Sequence, residues 1–307
     1  MSWEQLMELA NDIQSKAVMH AFNNQEDDPE YARNGIDGYY ANLPGLFTPF
    51  AGMPDPAAYQ PMIEDLRTAL KKLSNGDNNS DPIDHVDNIY LANPTMTKIA
   101  TASDYLDEWT GQAATAFKQN FLDPFPALCR NQFILVAVLK AGLEAHQAMW
   151  QSARNDIENV AKTTADALDN AGSGWSDKND WTFTFTVLAS VAAVAAVALT
   201  PLTDGATGPL AVTAVGAAAQ VAAAAPPPEL PDKNSGETAI QITNSMKAAM
   251  NKIVNDIHAT ESKIASALST VNGMVSSNKA YFVAPRPGLA DVHGGAETSS
   301  SGLGTAG

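Results

Sequence analysis

Positive charge is scarce in this chain. Its 307 residues carry 18 Lys and Arg against 34 Asp and Glu, a formal net charge of −16. Neither nucleic acid nor an anionic membrane surface gains electrostatically from binding such a surface. Cysteine is scarcer still. Cys129 stands alone, which excludes an internal disulfide and leaves stability to packing. There is no Gly-Lys-Ser or Gly-Lys-Thr sequence, and Gly172 and Gly174 do not lead into a phosphate-cradling helix pattern. Signal-peptide character is also missing at the start. Residues 1–22 read instead as an amphipathic helix, with Ser2 and Gln5 spaced as a capping box and Leu6, Ala10, Ile13 and Ala17 on one face. Apolar residues are plentiful at 45%, enough for a buried core in one large or two small domains.

Taken in order, residues 1–56 combine that helix with an irregular acidic segment. Gly35, Gly38, Pro44, Gly45, Pro49, Gly52, Pro54 and Pro56 leave no room for a long regular element after residue 24. A helical domain is expected over 57–170. Tyr59, Ile63, Leu66, Leu70 and Leu73 line one side of its first helix, and a polar loop follows from Asn75-Gly76 to Asn93. Pro94 suits a first helical turn, and Ile99, Ala102, Leu106 and Trp109 continue the helical period. Gly111 breaks it, and Ala113, Ala114, Phe117 and Phe121 begin a second stripe. Beyond Pro124 and Pro126, which kink or restart the helix, a heptad ladder runs over 131–169. Val136, Leu143, Trp150, Ile157 and Thr164 alternate in it with Leu139, His146, Ala153, Val160 and Ala167. A helix of that length makes the expected molecule elongated.

Residues 181–225 are apolar and alanine-rich, with Thr200-Pro201 and Asp204-Gly205 as a turn, and are expected to form a helical hairpin. Each arm is short for a bilayer span and the flanking charges show no inside bias, so packing within a bundle competes with membrane insertion. A Pro-rich linker follows over 226–235. The helix expected over 236–278 carries a second ladder, with Met250, Ile257, Ile264 and Val271 alternating with Met246, Ile253, Thr260, Ala267 and Met274. The two ladders fit pairing within one chain and pairing with a neighbouring copy equally well. Residues 284–307 read as a disordered tail. The fold class is all-α: an elongated helical bundle around a Trp-x-Gly helix-turn-helix hairpin, with an added Ala-rich hairpin and a C-terminal heptad helix.

Sites for chemistry are weak in this pattern. Asp77, Asn79 and Asp81 have the spacing that opens a calcium loop, with Asp84, His85 and Asp87 close by. Pro82 stands where such a loop needs glycine and Asn88 where it needs glutamate, so a solvated acidic loop is the reading preferred to a cation site. His146 lies within the first ladder and reads as a core histidine, Cys129 as a small hydrophobe. Glu26, Asp27, Asp28 and Glu30 read as a charged turn, because nothing near them in sequence suggests desolvation. No nucleophile pairs with a base. No enzyme, cofactor or metal is expected.

The run Tyr105-Leu106-Asp107-Glu108-Trp109-Thr110-Gly111-Gln112-Ala113-Ala114, with Phe117 and the long helix after it, resembles the Trp-x-Gly superfamily exported by type VII (ESX) secretion systems of actinobacteria and related bacteria. The resemblance covers residues 94–170. It implies an antiparallel helical hairpin, dimerisation with a copy or a related protein through long helices, and export in the folded state without a cleaved signal peptide. By that resemblance Trp109 and Gly111 shape the turn and contribute to recognition by the secretion machinery, with Leu106 and Phe117 flanking them. Many members also carry Tyr-x-x-x-Asp/Glu after the second helix; none of Tyr31, Tyr39, Tyr40, Tyr59, Tyr90, Tyr105 or Tyr281 has an acid four residues on. An export signal supplied by a partner fits that departure, and so does a non-exported relative of the family. The reading is a non-enzymatic, secreted or surface-located helical protein that assembles through the seam residues Leu139, Leu143, Trp150, Ile157, Ile253, Ile257, Ile264 and Val271. Its alternatives are a membrane-active effector that inserts residues 181–225 and a cytoplasmic or membrane-bound helical scaffold.

Overall fold

A computed structural model of the chain describes residues 2–74, 93–102, 111–170, 197–200, 211–214 and 238–284. Most of them are helical. The helices are α1 Trp3–Asn23, α2 Tyr31–Tyr40, α3 Gln60–Leu73, α4 Pro94–Ala100, α5 Gln112–Phe117, α6 Phe125–Asn170 and α7 Ala239–Ser277. Short 3-10 turns fill Pro44–Phe50, Pro56–Tyr59 and Lys279–Tyr281, and a π turn spans Lys118–Leu122. The chain divides into two compact units, one of residues 1–59, 146–189 and 222–262, the other of residues 60–145, 190–221 and 263–307.

In the first unit the start of α1 is fixed by a complete capping box. The Gln5 amide N–H donates to Ser2 Oγ at 3.3 Å, and the Ser2 amide N–H donates to Gln5 Oε1 at 2.8 Å. Leu6, Ala10, Ile13, Ala17 and Ala21 are then buried at three- and four-residue spacing. The core they enter contains Met149, Ala153, Ile157, Val160, Ala161, Ala165 and Leu168 of α6, and Met246, Met250, Ile253 and Ile257 of α7. Segment 25–56, read as irregular, contributes to this core as well. α2 is two short helical pieces joined at Gly35, whose φ of 69° only glycine adopts easily, and Tyr40, Leu43, Phe47 and Phe50 are buried. Breakers limit the length of its elements without preventing burial.

In the second unit Leu70 of α3, Phe133, Ala137 and Val138 of α6, and Val271 of α7 share a core, and Ala145 packs with Ile264. Asn131 Nδ2 donates to the Tyr281 carbonyl at 2.8 Å and Gln132 Nε2 to the Phe282 carbonyl at 2.6 Å. The pairs 131–281 and 145–264 run in opposite senses, so α6 and α7 are antiparallel partners. The two ladders therefore pair with each other inside one chain.

Three expectations change. The helix opened by Pro94 ends at Ala100 and is followed by a turn at Thr101, whose Oγ1 donates to the Lys98 carbonyl at 3.2 Å. Within residues 181–225, expected to be helical, Val197–Thr200 and Ala211–Ala214 are antiparallel strands in register Val197 to Ala214 and Thr200 to Ala211. Valine and threonine at these positions favour an extended chain over alanine's helical preference. Leu139, assigned to a helix seam, is 49% exposed, while Ala137, Val138 and Lys140 around it are buried.

Candidate functional site

The most concentrated polar chemistry lies where α1 ends. α1 closes in a Schellman motif: the Glu26 N–H donates to the Ala21 carbonyl at 3.0 Å and the Gln25 N–H to the Phe22 carbonyl at 3.2 Å. Gln25 holds the left-handed position, φ 50°, that glycine usually fills. The residue after that position commonly makes an apolar contact; here it is Glu26, and the turn directs its carboxylate inward.

Three donors converge on it. His20 Nδ1 lies 2.8 Å from Glu26 Oε1, and the Ala239 amide N–H donates to the same oxygen at 2.8 Å. Tyr31 Oη donates to Oε2 at 3.0 Å, and the Tyr31 and Tyr40 hydroxyls are 2.6 Å apart, so Tyr40 donates to Tyr31. The side chains of His20 and Glu26 are only 3% and 7% exposed. Ala239 opens α7, so Glu26 satisfies one of the N–H groups that a helix start leaves without a partner and places its negative charge at the positive end of the helix dipole. Burial raises both tyrosines above their usual range, and the nearby Glu26 adds to the effect. Asn24 Nδ2 stands 3.2 and 3.1 Å from the two ring nitrogens of His20 and 3.0 Å from its carbonyl oxygen. Equal distances to both nitrogens place that amide over the ring face.

Tyr39 packs edge-on against Tyr31 and Tyr40, with centroids 5.6 and 4.9 Å apart, and Lys247 of α7 sits 5.1 Å above its ring. This cluster binds α1, α2 and the start of α7 into one polar junction. The sequence reading placed Glu26 in a charged turn because the Ala239 N–H that ties it to α7 lies more than 200 residues away. The Schellman register after His20 was the available signal.

Two further charge clusters join helices. In the first unit Asp156 of α6 faces Lys252 and Asp256 of α7. Burial pushes the Asp156 carboxyl up to about 6, with the Asp256 charge adding and the Ser152 hydroxyl, 3.3 Å away, opposing. Lys252 Nζ is 2.6 Å from Asp256 Oδ2. In the second unit Lys140, its side chain 3% exposed, pairs with Glu144 at 2.8 Å, and Arg67 lies 2.7 Å from Glu64 and 4.0 Å from Glu144.

Of the residues singled out in the sequence, Trp109 and Leu106 lie outside the described residues, as do Asp77, Asn79, Asp81, Asp84, His85 and Asp87. Gly111 is exposed with φ 106° and stands immediately before α5. Phe117 is 39% exposed and stacks on Phe121 at 5.5 Å. Ile157, Ile253, Ile257, Ile264 and Val271 are buried, while Leu143 and Trp150 are half-buried. His146 is half-buried beside Tyr59, centroids 6.0 Å apart. Cys129 is buried, and that burial raises its thiol. No group of three metal-ligating side chains occurs among the described residues.

These observations define a class: a mostly helical protein whose buried polar groups fix helices to one another, among them the His20–Glu26 pair, which is largely shielded from solvent. Comparison with protein-family models, with curated proteins and with solved structures finds no match to the chain.

Proposed function

We propose that this chain is a non-enzymatic, secretion-associated helical protein that acts by helix–helix assembly, in the manner of the type VII substrates its Trp-x-Gly run resembles. One observation carries the reading. Gly111, the glycine of that run, has φ 106° and stands immediately before α5, a backbone conformation that glycine adopts most easily, and this supports a turn role for the position to which the resemblance assigns one. The helical character of the body supports assembly as its mode of action. Among the described residues the His20–Glu26 pair has side chains only 3% and 7% exposed, which supports a structural role over acid–base chemistry.

Export of the intact chain from a host with a type VII system, measured with and without that system's ATPase, tests the proposal. The expected result is an ATPase-dependent secreted fraction that Trp109→Ala reduces at least tenfold while the cellular pool stays folded. Retention of the wild-type chain in the cell under both conditions rejects export and leaves a helical scaffold.

A further inference from the structure

Among the described residues, α1 is the one helix that exposes two large apolar side chains within a single turn. Met19 is 61% exposed and Phe22 56%, and a spacing of three residues sets them side by side on one face. They stand outside the core, which takes Ala17, His20 and Ala21 from the same turns. The outward face also carries acid. Glu8, Ser15 and Phe22 follow one another at seven-residue intervals and are all exposed, so a carboxylate lies in line with the apolar pair. After Phe22 the chain turns at Gln25, and Asp27 and Glu30 are exposed in the segment that follows. Over residues 1–40 eight carboxylates accompany only two strong bases, Lys16 and Arg33. Lys16 Nζ is already engaged, 2.9 Å from Asp12 Oδ2 and 2.7 Å from Asp169 Oδ2.

We infer that the Met19–Phe22 face of α1 docks a basic amphipathic helix of a partner protein, one that seats apolar side chains on Met19 and Phe22 and brings Lys or Arg toward Glu8, Asp27 and Glu30. Each part of the surface selects for that occupant. The apolar pair gains by losing water on contact, and the acidic margin attracts cations while repelling other acids. A second copy of this chain would bring the same carboxylates to a symmetric contact, so like charge opposes it. An anionic lipid surface is opposed for the same reason. The partner element is a helix because apolar anchors three or four residues apart match the spacing of Met19 and Phe22 and leave the flanking positions for basic side chains. The inference rests on this surface alone and stands whether or not the chain is exported.

Fluorescence anisotropy on the full-length protein tests it, with a labelled helical peptide of leucine and lysine whose leucines recur at three- and four-residue spacing. The wild type should bind this peptide about tenfold tighter than a counterpart with glutamate in place of lysine. Met19→Ser with Phe22→Ser should weaken binding about tenfold and leave the melting curve unchanged, since both side chains are exposed. Met62→Ser with Val283→Ser, which removes exposed apolar side chains of the second unit, should leave binding as it is. Asp27→Asn with Glu30→Gln should weaken it severalfold and flatten its dependence on salt. Equal affinity for the lysine and glutamate peptides overturns the inference, as does equal affinity of the wild type and the Met19→Ser, Phe22→Ser variant. A wild-type dimer in sedimentation velocity that this variant dissociates would assign the face to a second copy and overturn it. Flotation with phosphatidylcholine vesicles that the same variant abolishes would assign it to lipid and overturn it as well.

Discussion

Asp156 shows what a single side chain contributes when its neighbours are wrong for it. Its carboxyl titrates near 6 because burial disfavours the anion and Asp256 adds like charge, whereas an unfolded aspartate titrates near 3.9. A carboxyl raised on folding gives its full stabilisation below the unfolded value and loses it as pH rises through about 6. At pH 7.5 the native state therefore holds an anion it would rather protonate. Asp156→Asn removes that dependence and keeps a partner for Ser152. Urea denaturation should show the variant gaining on the wild type by about 1 kcal/mol between pH 4.5 and pH 7.5, a figure well below the full pKa difference because the group is half-exposed and screened. A gap that stays constant across that range would show that Asp156 is not destabilised by ionisation.

Element boundaries divide into those set by neighbouring residues and those set by distant ones. The capping box of Ser2 and Gln5, the restart after Pro124 and the ladder of α7 were all legible, since each depends on residues within a turn or two. Leu139 was not. Within the second unit it lies between the buried Val138 and Lys140, and no periodicity within α6 announces which of its apolar positions a partner helix covers. Glu26 escaped for the same reason, its role being fixed by Ala239. The consequence is testable on α7 itself. Glu26→Ala leaves the His20 ring N–H, the Ala239 N–H and the Tyr31 hydroxyl without their acceptor and should cost roughly 3 kcal/mol, with amide exchange accelerating first in residues 239–243. Glu26→Gln keeps one carbonyl acceptor for the His20 and Ala239 donors and should retain most of that protection. Equal exchange in wild type and Glu26→Ala would mean that the apolar contacts of Ile240 and Ile242 alone hold the helix start.

For the whole molecule, the choice that the two ladders left open is resolved by packing. Their facing apolar rows, Phe133 with Val271 and Ala145 with Ile264, are spent inside the chain, so any helical assembly must use other surfaces. The charge balance limits which ones. Lys16, Arg67, Lys140, Lys162 and Lys252 all pair with carboxylates of the same chain, leaving the excess of sixteen negative charges to repel one another across the surface. Exposed ion pairs each contribute little and weaken with salt, while general repulsion of like charge weakens with salt too and opposes folding. Their balance fixes a sign. With 34 acids against 18 strong bases, repulsion should dominate, and raising sodium chloride from about 20 to about 300 mM, which shortens the screening length from roughly 20 to below 6 Å, should raise Tm by a few degrees. A Tm that falls instead would show that the local pairs outweigh the net charge, and a basic partner would then gain less from this acidic surface than its composition implies.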